Sequence, residues 1–233
     1  VDVPEGTYYV CASDNDNDRI MQTEEVVLAA NATETVDFTL VDGTSSTITL
    51  DGTTSQWYLL SLPVLVEDDT FWPALLYASG IDLTDWDMIA SWSNTTDAYE
   101  YYDMTLSRTT EYWLVRDPSL TYEPGVWIHM EAGTYNLKVV GTEETSVQYT
   151  LPGGHWSLVG YALTADGNPI ATALEQTPED SVNLMWTYDI PPTAAELYDP
   201  RGRFVPPDFT TFDIWHAYWV YVDYDCTLTI SSP

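Results

Sequence analysis

The chain repeats itself, and that limits what it can fold into. Trp57-Tyr58-Leu59-Leu60-Ser61-Leu62-Pro63-Val64 returns 99 residues later as Trp156-Ser157-Leu158-Val159-Gly160-Tyr161-Ala162-Leu163. Trp92, followed ten residues on by Tyr102-Asp103, returns 96 residues later as Tyr188, followed ten on by Tyr198-Asp199. Trp127-Ile128-His129-Met130 returns 92 residues later as Trp219-Val220-Tyr221-Val222. Three landmarks in the same order, with slowly drifting offsets, are the mark of one folding unit copied in tandem. A chain of 233 residues holds two such units and a shorter leading segment. Arrays of this kind span, pack or present surfaces, which tilts the reading away from catalysis.

The runs themselves are β-prone. In residues 1–52 these are Gly6 to Ala12, Glu25 to Ala29, the alternating Thr35-Val36-Asp37-Phe38-Thr39-Leu40, and Thr47 to Leu50. Residues 53–150 and 151–233 carry the two copies. Each opens on an apolar run behind a Trp and continues into a short helix (Phe71 to Ser79, Pro169 to Gln176). Each closes on a β-strand, Asn136 to Val140 or Cys226 to Ile230. Pro124-Gly125, Pro152-Gly153, Pro191-Pro192 and Pro206-Pro207 punctuate them as turns. The predicted class is mainly β: a partial β-sandwich segment, then two homologous β-rich modules with one short helix each.

Six Lys and Arg stand against 37 Asp and Glu, a net charge of −31. Such a surface repels phosphate backbones and anionic headgroups, so nucleic acid is excluded as a partner. An acidic surface calls for counter-ions, either salt that screens over about 10 Å or less, or divalent cations held by carboxylates. No run of 18 apolar residues is present, so no membrane span is expected in this chain. Asn31-Ala32-Thr33 and Asn94-Thr95-Thr96 are sequons, making Asn31 and Asn94 glycan acceptors in an exported protein. Cys11 and Cys226 are the only cysteines. In an oxidising compartment they pair with each other or with the same residues of neighbouring subunits. An intrachain bridge closing so long a loop is worth about 5 kcal/mol on the chain-entropy model. The bland reading is two thiols packed as small hydrophobes.

Two resemblances follow from these motifs. Gly6-Thr7-Tyr8-Tyr9-Val10 and Val36-Asp37-Phe38-Thr39-Leu40 resemble the closing half of carboxypeptidase-regulatory-like (prealbumin-like) β-sandwich domains. The front half of such a sandwich is missing from these residues, which implies that it lies upstream or is supplied by another molecule through strand addition. The two modules resemble a repeat of archaeal and some bacterial cell-surface proteins that reads Gly-Trp-Asn-Leu-Ile-Ser-Leu-Pro, then Val-Trp-x-Tyr-Asp, Glu-Pro-Gly-x-Gly-Tyr-Trp-Ile and Leu-x-Val-x-Gly. The first copy matches at Trp57, Leu59, Ser61-Leu62-Pro63, Glu123-Pro124-Gly125, Trp127-Ile128 and Leu137 to Gly141. The second matches at Trp156, Leu158, Tyr188-Asp189 and Tyr218-Trp219-Val220, and departs at Tyr161-Ala162-Leu163 and Asp213-Ile214-Trp215. The resemblance implies a secreted, surface-associated β-rich protein and carries over no catalytic residue. With the open strand edge, the cysteines and the acidic faces, the expected role is a structural subunit that assembles with copies of itself.

The sharpest local signal is Asp14-Asn15-Asp16-Asn17-Asp18 with Glu25 at the twelfth position. Carboxylates at positions 1, 3, 5 and 12 of a curled loop can close an oxygen shell around Ca2+, so Asp14, Asp16, Asp18 and Glu25 are the expected metal ligands. Arg19 stands where such a loop usually needs Gly, and the same residues suit a solvated hairpin loop. Ten Trp and seventeen Tyr raise glycan binding as the alternative function, since flat rings stack on sugars. The landmark indoles Trp57, Trp92, Trp127, Trp156 and Trp219 are expected inside the core of their own unit. Trp72, Trp86, Tyr99, Tyr101, Tyr102 and Trp215 are the candidates for exposure. No GxSxG, HExxH, Walker or GxGxxG pattern occurs, and His129, His155 and His216 lack metal-ligand spacing, so an enzyme is not expected.

Overall fold

A computed structural model describes residues 5–30, 32–66, 72–93, 98–103, 125–190, 194–203 and 208–233. Asn31, Asn94, Glu123 and Pro124 lie outside them. The protein is mainly β, as expected, with antiparallel sheets throughout. β1 (Gly6–Asp14) and β2 (Arg19–Leu28) form a hairpin. The first repeat contains β3 (Thr44–Gly52), β4 (Gln56–Leu60), α1 (Trp72–Ala78), β5 (Trp86–Ser93), β6 (Ala98–Asp103), β7 (Val126–Met130) and β8 (Gly133–Gly141). The second contains β9 (Ser146–Leu151), β10 (Trp156–Gly160), β11 (Asn168–Pro169), α2 (Ile170–Ala173), β12 (Leu174–Thr177), β13 (Val182–Tyr188), β14 (Ala195–Tyr198), β15 (Thr211–Phe212), β16 (Ala217–Val222) and β17 (Cys226–Ser231).

The duplication extends to strand order and register. The first repeat has a four-stranded sheet ordered β4-β7-β5-β6, and the second has β10-β16-β13-β14. Opposite these lie β3-β8 and β12-β17-β9. Trp57 faces His129 as Trp156 faces Tyr221, and Trp127 faces Leu59 and Ala90 as Trp219 faces Leu158 and Trp186. Even the irregularity is copied, since the register slips between Trp86 and Met88 in one sheet and between Val182 and Leu184 in the other. A bulge at the same place in both copies re-aims the strand in the same way. The ladder from Thr44 to Gly52 against β8 joins those residues to the first repeat, and β9 opens the second by pairing with β17.

Each repeat buries its core between its two sheets. Leu50, Tyr58, Leu60, Ile89, Ile128, Leu137 and Val139 fill the first, and Val147, Tyr149, Val159, Met185, Val220, Leu228 and Ile230 the second. Strand alternation decides the rest. In β4, Tyr58 and Leu60 point inward, so Trp57 and Leu59 face out; in β16, Tyr218, Val220 and Val222 point inward, so Trp219 faces out. α1 lays Trp72, Leu75 and Leu76 on the first core and ends in a left-handed Gly80 at φ 75°. There the Gly80 N–H donates to Tyr77 O and the Ile81 N–H to Leu76 O, the paired bonds that close a helix when glycine takes the left-handed position. The expected helix from Pro169 to Gln176 is shorter than its propensity suggested, because Leu174 to Thr177 pair with β17 instead. The expected strand from Thr35 to Leu40 is irregular and joins no ladder among the described residues.

Candidate functional site

The five landmark indoles do not fill the core of their own unit, which corrects the expectation above. Leu59, Leu158, Ala217 and Trp219 form a third buried cluster between the repeats, with Trp92, Trp127, Trp156, Trp186 and Tyr188 packed against it. Trp92 of the first repeat meets Trp219 of the second edge-on at 5.2 Å and 68°. Their counterparts Tyr188 and Trp127 meet in the opposite sense, also at 5.2 Å and 68°. The two repeats are therefore related across this seam by a local twofold arrangement. Gly125 marks the close approach: a Cβ there would lie 2.1 Å from the Cβ of Ala217, its own counterpart 92 residues on. Edge-to-face ring pairs add about 0.5–1.5 kcal/mol each beyond the area they bury. Trp57 is half-buried against His129, with ring centroids 5.0 Å apart.

Three aromatics expected at the surface are interior. Trp72 and Trp86 are buried in the first core, and Trp215, from the second repeat's sequence, is buried there too. Tyr99 is 38% exposed, while Tyr77 on α1 (70%) and Tyr224 beyond β16 (65%) are the most exposed rings among the described residues. Tyr77 and Tyr224 lie on different repeats. The side chains of Tyr101 and Tyr102 are outside the described set.

The structure does not bring the four expected calcium ligands together. Asp14 ends β1 and its carboxylate accepts from the Asn17 side-chain amide at 2.9 and 3.0 Å. Asp16 is exposed. Asp18, left-handed at φ 51°, is paired with Lys138 at 2.7 Å. Hydrogen bonds from Lys138 and then Ser45 hold its carboxyl below the usual range. Glu25 is opposite Tyr9 in the middle of β2, about 20 Å along the strand from the loop at the usual rise per residue. The reason is that the hairpin extends where a calcium loop would curl. Among the described residues no group of three or more His, Cys, Asp or Glu is placed to hold a metal ion. The loop instead anchors the hairpin to the first repeat: the Asn15 side-chain amide donates to Ala78 O at 3.1 Å, and the Lys138 ammonium donates to Asn15 O. Away from this tip, Val10 and Val27 are 36% and 66% exposed.

Neither cysteine is in a disulfide. Cys11 is exposed on β1, whereas Cys226 is buried in the second core. Burial raises the Cys226 thiol pKa, with Asp225 adding to the effect, which opposes formation of the thiolate that exchange requires. The intrachain bridge expected as one alternative is thus absent.

Charge is distributed one-sidedly. Among the described residues the basic side chains are Arg19, Lys138, Arg201 and Arg203, and each is tied to a carboxylate of its own chain: Asp42 at 2.9 Å, Asp18 at 2.7 Å, Asp223 at 2.5 Å and Asp199 at 3.2 Å. Asp199 is fully buried and also accepts the backbone N–H groups of Arg201 and Arg203, so this pair organises a turn. An open cleft of about 610 Å³ in the second repeat is lined by Asp189, Glu196, Asp208 and Asp213 with His216 and Phe209. Burial, then the charge of Asp189 and a hydrogen bond to it, raise the Glu196 carboxyl above its ordinary range, with Asp208 and Asp213 adding to the shift. Two of these acids have partners beside the cleft, as Asp208 accepts the Leu197 backbone N–H at 2.9 Å and Asp213 accepts the Thr211 side-chain hydroxyl at 3.3 Å. Among 37 acidic residues nothing in the sequence marked these four out. No helix among the described residues is long and apolar enough to cross a membrane. The chain matches no family model, no curated protein and no solved structure.

Proposed function

We propose that the chain is a structural subunit of an extracellular, cell-surface layer, sheath or filament, of the kind its modules resemble, and not an enzyme. The observation that carries this reading is the seam. Four of the five landmark indoles pack in the seam between the repeats, the chain carries a net charge of −31, and the β1–β2 hairpin exposes apolar side chains. Val10 and Val27 on that hairpin suit strand addition to a neighbouring copy.

The ion pairs add a condition. With the described basic side chains engaged internally, two copies meet acid to acid, so contacts between them require backbone pairing, apolar surface or bridging cations. Divalent cations or high salt are therefore partners of the assembly. Sedimentation velocity of the full chain tests this. Large assemblies are expected in calcium or concentrated salt, dissociating in chelator at low ionic strength. Monomers under every condition contradict the proposal, and monomers retained on a polysaccharide column would favour a glycan-binding module instead.

A further inference from the structure

The segment Asp213 to His216 comes from the second repeat, yet its central residue completes the core of the first. Trp215 is 2% exposed among Met21, Leu50, Tyr58 and Trp86, and its indole N–H donates to the Ser46 hydroxyl at 3.1 Å. Backbone bonds fix it at the same place: the Ser61 N–H donates to Trp215 O at 2.9 Å, the Ser61 hydroxyl donates to His216 O at 2.7 Å, and Leu60 and His216 form a bridge. The other side of the segment is held by its own repeat. The Ile214 N–H donates to Asp166 at 3.1 Å, and the Asp213 N–H donates to the Tyr218 hydroxyl at 2.8 Å. Ser61 joins the two sides, since its hydroxyl oxygen also accepts the Tyr161 N–H at 3.0 Å. Trp215 sits at φ 69°, a left-handed backbone that a bulky residue adopts only when its surroundings impose it. Local turn preference therefore does not account for the segment; its seating in the first core does.

We propose that Ile214 and Trp215 form a latch, which closes the first repeat's core from the second repeat and couples the stability of the two. Each repeat has its own sheet pair, and among the described residues the other joints between them are the aromatic seam, Ile190 packed on the first core, the Tyr161 N–H bond to Ser61 and the short link between β8 and β9. With the latch, opening the second repeat withdraws a large ring from the first. Local opening of the second repeat then opens the first as well.

Hydrogen exchange of the full-length protein, read separately on β4 and β7 and on β9 and β17, tests the latch. Trp215→Phe removes the indole N–H with part of the ring, and Ser46→Ala removes its part-buried acceptor; each is expected to speed exchange in β4 and β7 about fivefold while β9 and β17 hold. Trp215→Ala removes the ring and is expected to speed the same first-repeat strands about a hundredfold. Leu228→Ala, in the second core, is expected to lower protection in β4 and β7 when Trp215 is present and to leave them unaffected in the Trp215→Ala background. Unchanged protection of β4 and β7 in Trp215→Phe and Ser46→Ala, or acceleration appearing first in β9 and β17, would overturn the proposal. Should Trp215→Ala unfold outright, the two milder variants decide.

Discussion

At the scale of single residues, the seam depends on positions with no tolerance for volume. Gly125 and Ala217 occupy equivalent places on facing sheets, and the first can only be glycine because the second already carries a methyl group. Gly125→Ala forces the sheets apart and is expected to destabilise the chain by about 1–3 kcal/mol. Adding Ala217→Gly exchanges the two residues across the local axis and is expected to restore most of that loss. Urea midpoints of the single and double variants check this. Independent, additive losses would mean the two positions do not face each other. Ser91 and Thr187 show the same pairing of roles, donating to Gly125 O and Ala217 O respectively.

At the scale of elements, the repeat and its β character were legible because Trp57, Trp127, Trp156 and Trp219 recur at fixed places in apolar strands. What lies on which face was less so. Strands such as Trp57-Tyr58-Leu59-Leu60 are apolar on both faces, a pattern that belongs to a sheet covered on both sides. Isolated units would bury the indoles inside; the second cover is instead the other repeat, except for Trp57, which lies against His129. Trp215 was harder still, since nothing near it in sequence indicates a partner 169 residues away at Ser46. The acidic cleft was illegible for a different reason, as Asp189, Glu196, Asp208 and Asp213 are ordinary loop and edge acids that converge only in the fold. That cleft has a measurable signature. A carboxyl whose folded pKa is raised contributes stability below its unfolded pKa and loses it as pH rises through the folded value. Glu196→Gln, which mimics the protonated form, is therefore expected to match the parent near pH 4 and to melt about 1–2 °C higher near pH 7, a figure discounted for solvent access. A difference in melting temperature that does not change with pH would contradict this origin.

At the scale of the whole molecule, the account joins two economies. Landmark indoles pack between the repeats, and the described basic side chains are paired within the chain, whose net charge is −31. The proposed cation requirement of assembly rests on the second, and the proposed structural role over sugar binding on the first. The claim that rings of one repeat are spent on rings of the other is tested most directly by a double-mutant cycle on Trp92 and Trp219, with the mirrored cycle on Tyr188 and Trp127. Coupling energies of about 0.5–1.5 kcal/mol, similar in the two cycles, are expected from their matching geometry. Additive losses with no coupling in either cycle would contradict the seam.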